Sequence, residues 1–314
     1  MKIAITGGTG FVGAHLAVKL VHDGYDVALI ARGHDQRNAK ILKLNHSQFF
    51  VSDLSNVDDL TRAFTGCDAI VHCAGINREI KSQTYERVHV QGTCNVCEAA
   101  KRAAANKIIL ISFLRARPNC GSAYHESKWS AEEIVRASGL DYTILKPGVV
   151  YGRGDHMLDH LSHALQTFPV FASVGMSEKF MRPLAIADLV AVMEASLKDP
   201  RLSNKTFGVT GPEEITLREA ARRVGESIGK KPFIFGMPIA LHYVLAWLAE
   251  RTMKIPITSV GQVRMLSEGM VEALPPCDSL PADLLPKLSF TIKQIQKGLP
   301  LSAVLGCADG GCSL

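Results

Sequence analysis

Long apolar runs are missing from this chain of 314 residues. The longest, Phe233 to Leu248, is broken by Gly236, Pro238 and His242. It falls short of the roughly 20 apolar residues that a membrane-spanning helix needs. The opening MKIAITGGTG lacks the extended apolar region and cleavage site of a secretory signal, and its apolar residues read as a strand, so a cytoplasmic protein is expected. Lys and Arg never run five together, and 35 basic against 30 acidic residues leave a net charge of only +5. A polybasic arm is thereby excluded, and no nucleic-acid partner is expected. Cysteine is too sparse for a disulfide scaffold, with eight in the whole chain. Cys94 and Cys97 form a CxxC without a second one, and no His pair stands at zinc-finger spacing. They read as buried helical thiols, and no metal site is expected. Charged residues, at 21%, are too few and hydrophobic ones, at 47%, too many for a disordered protein.

What the chain does have is alternation of strand and helix. Short apolar strands are expected at Lys2–Thr6, Tyr25–Ala31, Gln48–Ser52, Ala69–Cys73, Lys107–Phe113 and Asp141–Lys146. Helices are expected at Phe11–Asp23, Asn56–Phe64, Thr84–Ala104 and Ser122–Ser138. Repeated βα units with continuous apolar strands imply an α/β fold, a Rossmann-type doubly wound parallel sheet. Beyond Gly154 the pattern loosens. Helices are expected at Asp155–Thr167, Ala187–Leu197 and Thr216–Ile228, the last opened by a Thr216–Glu219 capping box. Residues 238–271 read as helical and apolar-rich, and Pro275–Pro286 as a loop with four prolines. Trp247, with Leu241, Val244, Leu245 and Leu248, reads as core. The alternative is a docking surface for a membrane or partner, flanked by Arg251 and Lys254.

Three motifs carry chemistry. Between the first strand and first helix stands Gly7-Gly8-Thr9-Gly10-Phe11-Val12-Gly13. Such a loop turns tightly, lets a pyrophosphate approach the backbone and packs helix against strand, so dinucleotide binding is expected there. The second strand ends at Arg32 without the Asp or Glu that would hold a ribose 2′-hydroxyl. A guanidinium suits a 2′-phosphate, so NADP(H) is favoured, with NAD(H) the alternative; Arg37 and Lys40 would add charge. Asp53-Leu54 is placed to receive the adenine amino group, and Cys73-Ala74-Gly75 to line the cofactor with small residues. Third, Tyr124 and Lys128 share one helix face, where an ammonium would lower the phenol pKa for acid–base work. Ser112, at the end of the fifth strand, is the candidate for holding the same substrate oxygen.

These features resemble the extended, or atypical, short-chain dehydrogenase/reductase superfamily of NAD-dependent epimerases and dehydratases. The matching segments are TGGTGFVG at 6–13, Asp53-Leu54, HCAG at 72–75, Ser112, YHESK at 124–128, KPGVVYGRGD at 146–155 and RPLAIADLV at 182–190. The pattern looks most like the subgroup containing the NADPH-binding accessory subunit of respiratory complex I. The resemblance implies a Rossmann domain over 1–154 and about 182–211. It implies a small, mainly helical substrate or partner domain over about 155–181 and 212–300, with 301–314 a flexible tail. Ser112, Tyr124 and Lys128 would be catalytic, Lys128 would also hold the nicotinamide ribose, and Pro147, Val149 and Val150 would sit beside the nicotinamide. One departure is His89, where relatives often carry an asparagine that supports a proton relay to the lysine. The expectation is an NAD(P)-dependent oxidoreductase or epimerase/dehydratase acting on a small-molecule substrate. The alternative is an NADPH-binding structural, assembly or regulatory protein. A homodimer and docking through the C-terminal helices are further candidate associations.

Overall fold

A computed structural model describes residues 1–33, 41, 44–168, 170–177, 179–252 and 260–300. Arg37, Lys40, Lys254 and the segment 301–314 lie outside them. The chain divides into two units. The first comprises Met1–Pro147, Ile186–Val209 and Glu272–Leu285. The second comprises Gly148–Ala185, Thr210–Val271 and the described residues from Pro286 on.

The first unit is built on a seven-stranded sheet. Its first six strands in chain order are β1 (Lys2–Thr6), β2 (Asp26–Ala31), β3 (Ser47–Val51), β4 (Ala69–His72), β5 (Lys107–Ile111) and β6 (Asp141–Pro147). The strand Lys205–Val209 lies beside β6, and across the sheet the order continues β5, β4, β1, β2, β3, every pair parallel. Parallel strands need helical crossovers that cover both faces, which is why β5, KIILI, is buried at every position. The helices α1 (Phe11–His22), α2 (Val57–Phe64), α3 (Gly92–Arg102) and α4 (Ala123–Arg136) supply that cover. Leu60, Phe64, Ile70, Val96, Ile108, Val135 and Ile144 meet in one core cluster. Asn56 caps α2 by accepting from the amides of Asp58 and Asp59, each at 3.1 Å.

Two local readings are corrected. The CxxC is split: Cys97 is buried but Cys94 is exposed, because the two flank the edge of α3's buried face. Thr84–Ala104 is not one regular helix but a π-helical turn, Glu86–Gln91, running into α3. The proline-rich segment also has more order than a free loop. Leu274 N donates to Leu114 O at 3.1 Å and Asp278 N to Thr206 O at 2.9 Å, which lays Glu272–Leu285 along the open edge of the last strand. Proline is tolerated at such an edge because its missing N–H faces away from the ladder.

The second unit is mainly helical, with α5 (His156–Thr167), α7 (Leu217–Ser227), α8 (Ile239–Thr252), α9 (Val260–Glu268) and α10 (Ile292–Gly298); α6 (Ile186–Lys198) belongs to the first. Thr216 caps α7 through Glu219 N at 3.2 Å, while the Glu219 carboxylate turns to Arg222 and Arg223 instead of closing the capping box. The parallel pair Val170–Val174 and Phe233–Met237 lies in this unit. No described helix is long and apolar enough to cross a membrane.

Candidate active site

The glycines of the first turn divide by role. Gly7 has φ +67°, and a Cβ there would stand 2.8 Å from the Ala74 backbone, so the loop packs directly on the chain leaving β4. A Cβ on Gly13 would collide with Gly7 O, so α1 and the loop also need that position bare. Gly10 differs. It is the N-cap of α1 with ordinary extended angles and no side-chain cap, and a Cβ there would meet only Gly7 O at 3.2 Å. The amides of Phe11, Val12 and Gly13 open the helix with no side chain to satisfy them, an arrangement suited to an anion. A pyrophosphate fits this cradle; the residues that would hold it are Gly10 to Gly13, with Thr9 buried beneath.

Beside the loop, a chain of hydrogen bonds ties β1 to the π-helical turn. Thr93 Oγ1 donates to His89 O, so it accepts from His72 Nε2 at 3.1 Å, and His72 Nδ1 accepts from Thr6 Oγ1 at 2.6 Å. His89 is fixed the same way. Ile76 N donates to its Nε2 at 3.1 Å, leaving the proton on Nδ1, which donates to Ser127 Oγ at 2.9 Å. Burial holds both rings neutral, with pKa values pushed down to about 3 for His72 and about 2 for His89.

Helix α4 then brings Tyr124 and Lys128 to one face, with Ser127 between them donating back to Tyr124 O at 2.9 Å. The Lys128 ammonium is buried and donates to Ile111 O at 3.2 Å. Burial lowers its pKa to about 8. Gly75 makes room for it: a Cβ there would stand 3.1 Å from Lys128 Nζ and 3.4 Å from His89 Nε2. The Tyr124 ring is half-buried in an aromatic cluster, 5.3 Å from Phe113, 5.6 Å from Tyr85 and 5.8 Å from His89 and from His125. Those surroundings push its pKa up, not down as the spacing alone suggests: burial is the larger cause and the neighbouring Tyr85 phenol the smaller.

Ser112 faces elsewhere. Its hydroxyl donates to Glu132 Oε1 at 2.5 Å. Glu132 is fully buried and pairs with Lys146 Nζ at 3.2 Å and Arg136 Nη2 at 2.9 Å. Lys146, also fully buried, donates further to Ala116 O at 2.8 Å. Ser112 thus anchors β5 to α4 through a buried ionic network, and the hydroxyl assigned to a substrate oxygen is engaged there.

The fold finds clear counterparts. A family model described as NAD(P)H-binding matches residues 7–162. The chain is 25% identical over 263 residues to the mitochondrial NADH-ubiquinone oxidoreductase 40 kDa subunit of Neurospora crassa, covering 82% of this chain and 68% of that one. It is 28% identical over 240 residues to the ceramide reductase of Caulobacter vibrioides, covering 75% and 73%. The UDP-glucuronic acid 4-epimerase of Bacillus cereus, solved with NAD, shares the fold at a TM-score of 0.73 and 18% identity, over 95% of this chain and 97% of that one. Residues 7–162 thus match an NAD(P)H-binding family, and the chain as a whole shares the fold of the epimerase.

The remaining candidates sit as follows. Arg32 is exposed just past β2, close enough for its charge to act on Asp53. Asp53 Oδ1 accepts from Ser55 N at 2.8 Å and Ser55 Oγ at 2.6 Å, bonds that lower its pKa. Leu54 packs where a Gly92 side chain would be. Cys73, which follows β4, has its thiol pKa pushed up to about 12 by burial. Pro147 ends β6 in the first unit, and Val149 and Val150 follow in the second. Among the described residues no group of three or more His, Cys, Asp or Glu is arranged to hold a metal.

The motifs did not disclose Tyr85 or Glu132. The available signal for Glu132 was an acid four residues after Lys128, between Ala131 and Val135 on the buried face of α4. Glu132→Gln keeps the shape and removes the charge, leaving Lys146 buried beside no carboxylate. The first unit should lose about 3–5 kcal/mol, read by urea denaturation followed by near-ultraviolet dichroism. A change below about 1 kcal/mol would show the network to be dispensable.

Proposed function

We propose that the chain is an NADPH-dependent carbonyl reductase in which Tyr124 is the proton donor. The observation that carries this reading is the placement of Tyr124 on one helix face with Lys128, its ring walled by Phe113 and Tyr85. A bound nicotinamide in its reduced form supplies a hydride to the carbonyl carbon. Tyr124 gives its proton to the carbonyl oxygen as that oxygen becomes an alkoxide. Lys128, charged below its pKa of about 8, offsets the phenolate left behind. His89, held by Ile76 and Ser127, keeps the turn of chain beside Lys128 in place. Ser112 acts as a positioning residue through Glu132. The aromatic wall favours an apolar ketone over a sugar nucleotide. The test is NADPH oxidation across a panel of aliphatic ketones, aromatic ketones and sugar nucleotides. Turnover of the ketones supports the reading; turnover of the sugar nucleotides alone would replace it with epimerase or dehydratase chemistry.

A second reading, a nucleotide-binding subunit without turnover, is favoured by the engaged Ser112 hydroxyl and by the likeness to the Neurospora 40 kDa subunit. NADPH bound tightly, with no oxidation across the whole panel, would select it.

Cofactor choice rests on Arg32, the exposed cation at the end of β2. Calorimetry should find NADPH bound more tightly than NADH. Arg32→Ala should cost NADPH about tenfold or more in affinity and leave NADH nearly unchanged, since a charge-assisted contact contributes roughly 1.5–3 kcal/mol. Equal affinities in the unmodified protein would contradict this assignment.

A further inference from the structure

The second unit turns much of its apolar surface outward along the stretch that is also the longest apolar run of the sequence. On α8, His242 and Ala246 face inward and are buried. Leu241, Val244, Leu245 and Leu248 recur at helical spacing on the other side, each 44–53% exposed, with Trp247 beside them at 47%. The strand that leads into this helix continues the pattern. Phe233 and Phe235 are exposed on one strand face, their rings 6.3 Å apart, and Val170, the register partner of Phe233, is exposed too. Isolated exposed apolar side chains are ordinary, but a cluster of this extent marks an interaction surface.

The charges that flank it in the sequence say what kind of surface covers it. Residues 230–254 carry Lys230, Lys231, Arg251 and Lys254 against Glu250 alone, three of the chain's five net positive charges. Lys230 and Lys231 are exposed at the entry to the strand. The Arg251 guanidinium lies over the Trp247 ring, 4.0 Å from its centre. A second copy of the same face would oppose these cations to themselves. An anionic bilayer complements both parts, taking aromatic and aliphatic side chains into its boundary and lipid phosphates onto the basic rim. Helix α8, at 14 residues, is about 21 Å long, so it would lie in the interface and not cross it.

We infer that Phe233–Leu248 is a docking surface for an anionic phospholipid bilayer, with Leu245 and Trp247 entering the headgroup boundary and Lys230, Lys231 and Arg251 meeting the phosphates. The experiment is flotation of the full chain with phosphatidylcholine vesicles, with and without phosphatidylglycerol. Binding is expected to the anionic vesicles, weakening as salt rises. Trp247→Glu with Leu245→Glu should reduce it by about tenfold or more, and Lys230→Gln with Lys231→Gln should remove only the preference for phosphatidylglycerol. Brominated acyl chains should quench indole fluorescence in the unmodified protein and much less in Trp247→Phe, which preserves the apolar face. NADPH affinity serves as the folding control for each variant. No vesicle binding, binding indifferent to Trp247→Glu with Leu245→Glu, or a dimer in sedimentation that those changes dissociate would each overturn the inference. The readout needs no turnover, so its failure would leave the carbonyl-reductase reading standing, and the reverse holds.

Discussion

Tyr124→Phe should lower carbonyl reduction by about 10²–10⁴-fold while leaving NADPH affinity within about twofold. The substitution removes one hydroxyl and keeps the ring that packs against Phe113, Tyr85 and His125. The backbone carbonyl that Ser127 bonds is unaffected, so His89 and Lys128 should keep their places. The proton that the alkoxide needs must then come from water, which the aromatic wall keeps scarce. The effect should fall on kcat and kcat/KM alike, because the contact is made only as charge develops on oxygen. Stopped-flow absorbance of NADPH checks it, and a variant rate within about threefold of the unmodified protein would remove Tyr124 from the chemistry.

Gly10→Val should abolish cofactor binding in a protein that still folds. Gly10 has φ −75° and ψ 172°, angles that valine adopts without strain. Its Cβ would meet only Gly7 O, at 3.2 Å, a small adjustment for the loop. The branched side chain would then stand over the open amides at the start of α1, where the pyrophosphate has to come close. Losing two charge-assisted contacts, at roughly 1.5–3 kcal/mol each, implies a fall in NADPH affinity of about a hundredfold or more. Fluorescence titration reads the affinity, and the thermal midpoint should barely move. The contrast is Gly7→Ala, whose Cβ would meet the Ala74 backbone at 2.8 Å and whose φ is positive. That change should lower the midpoint itself. Unchanged NADPH affinity in folded Gly10→Val would place the phosphates elsewhere.

The sheet was legible because its strands are local, continuous and apolar: β1 begins and ends where the pattern does, and β5 differs only in stopping at Ile111. The glycine loop and the Tyr124–Lys128 pair were legible for the same reason, each lying within one turn or one helix face. What escaped depends on pairs far apart in the chain. The Ser112 hydroxyl finds its partner 20 residues on, and Lys107 finds Ser203 96 residues on. No periodicity reports such partners. The direction of the Tyr124 shift escaped as well, since spacing shows the nearby ammonium but not the aromatic rings that keep water away. Trp247 and its neighbours fit either a core or a surface by spacing alone; only the packing of His242 and Ala246 inward shows that the stripe faces out.

The most direct measurement of the account is isotope transfer from NADPH deuterated at C4 of the nicotinamide, with the ketone product analysed by mass spectrometry. The account predicts one deuterium on the carbinol carbon and its near loss in Tyr124→Phe at equal NADPH occupancy. NADPH held in the protein with no deuterium in any product, or equal transfer by Tyr124→Phe, would contradict it.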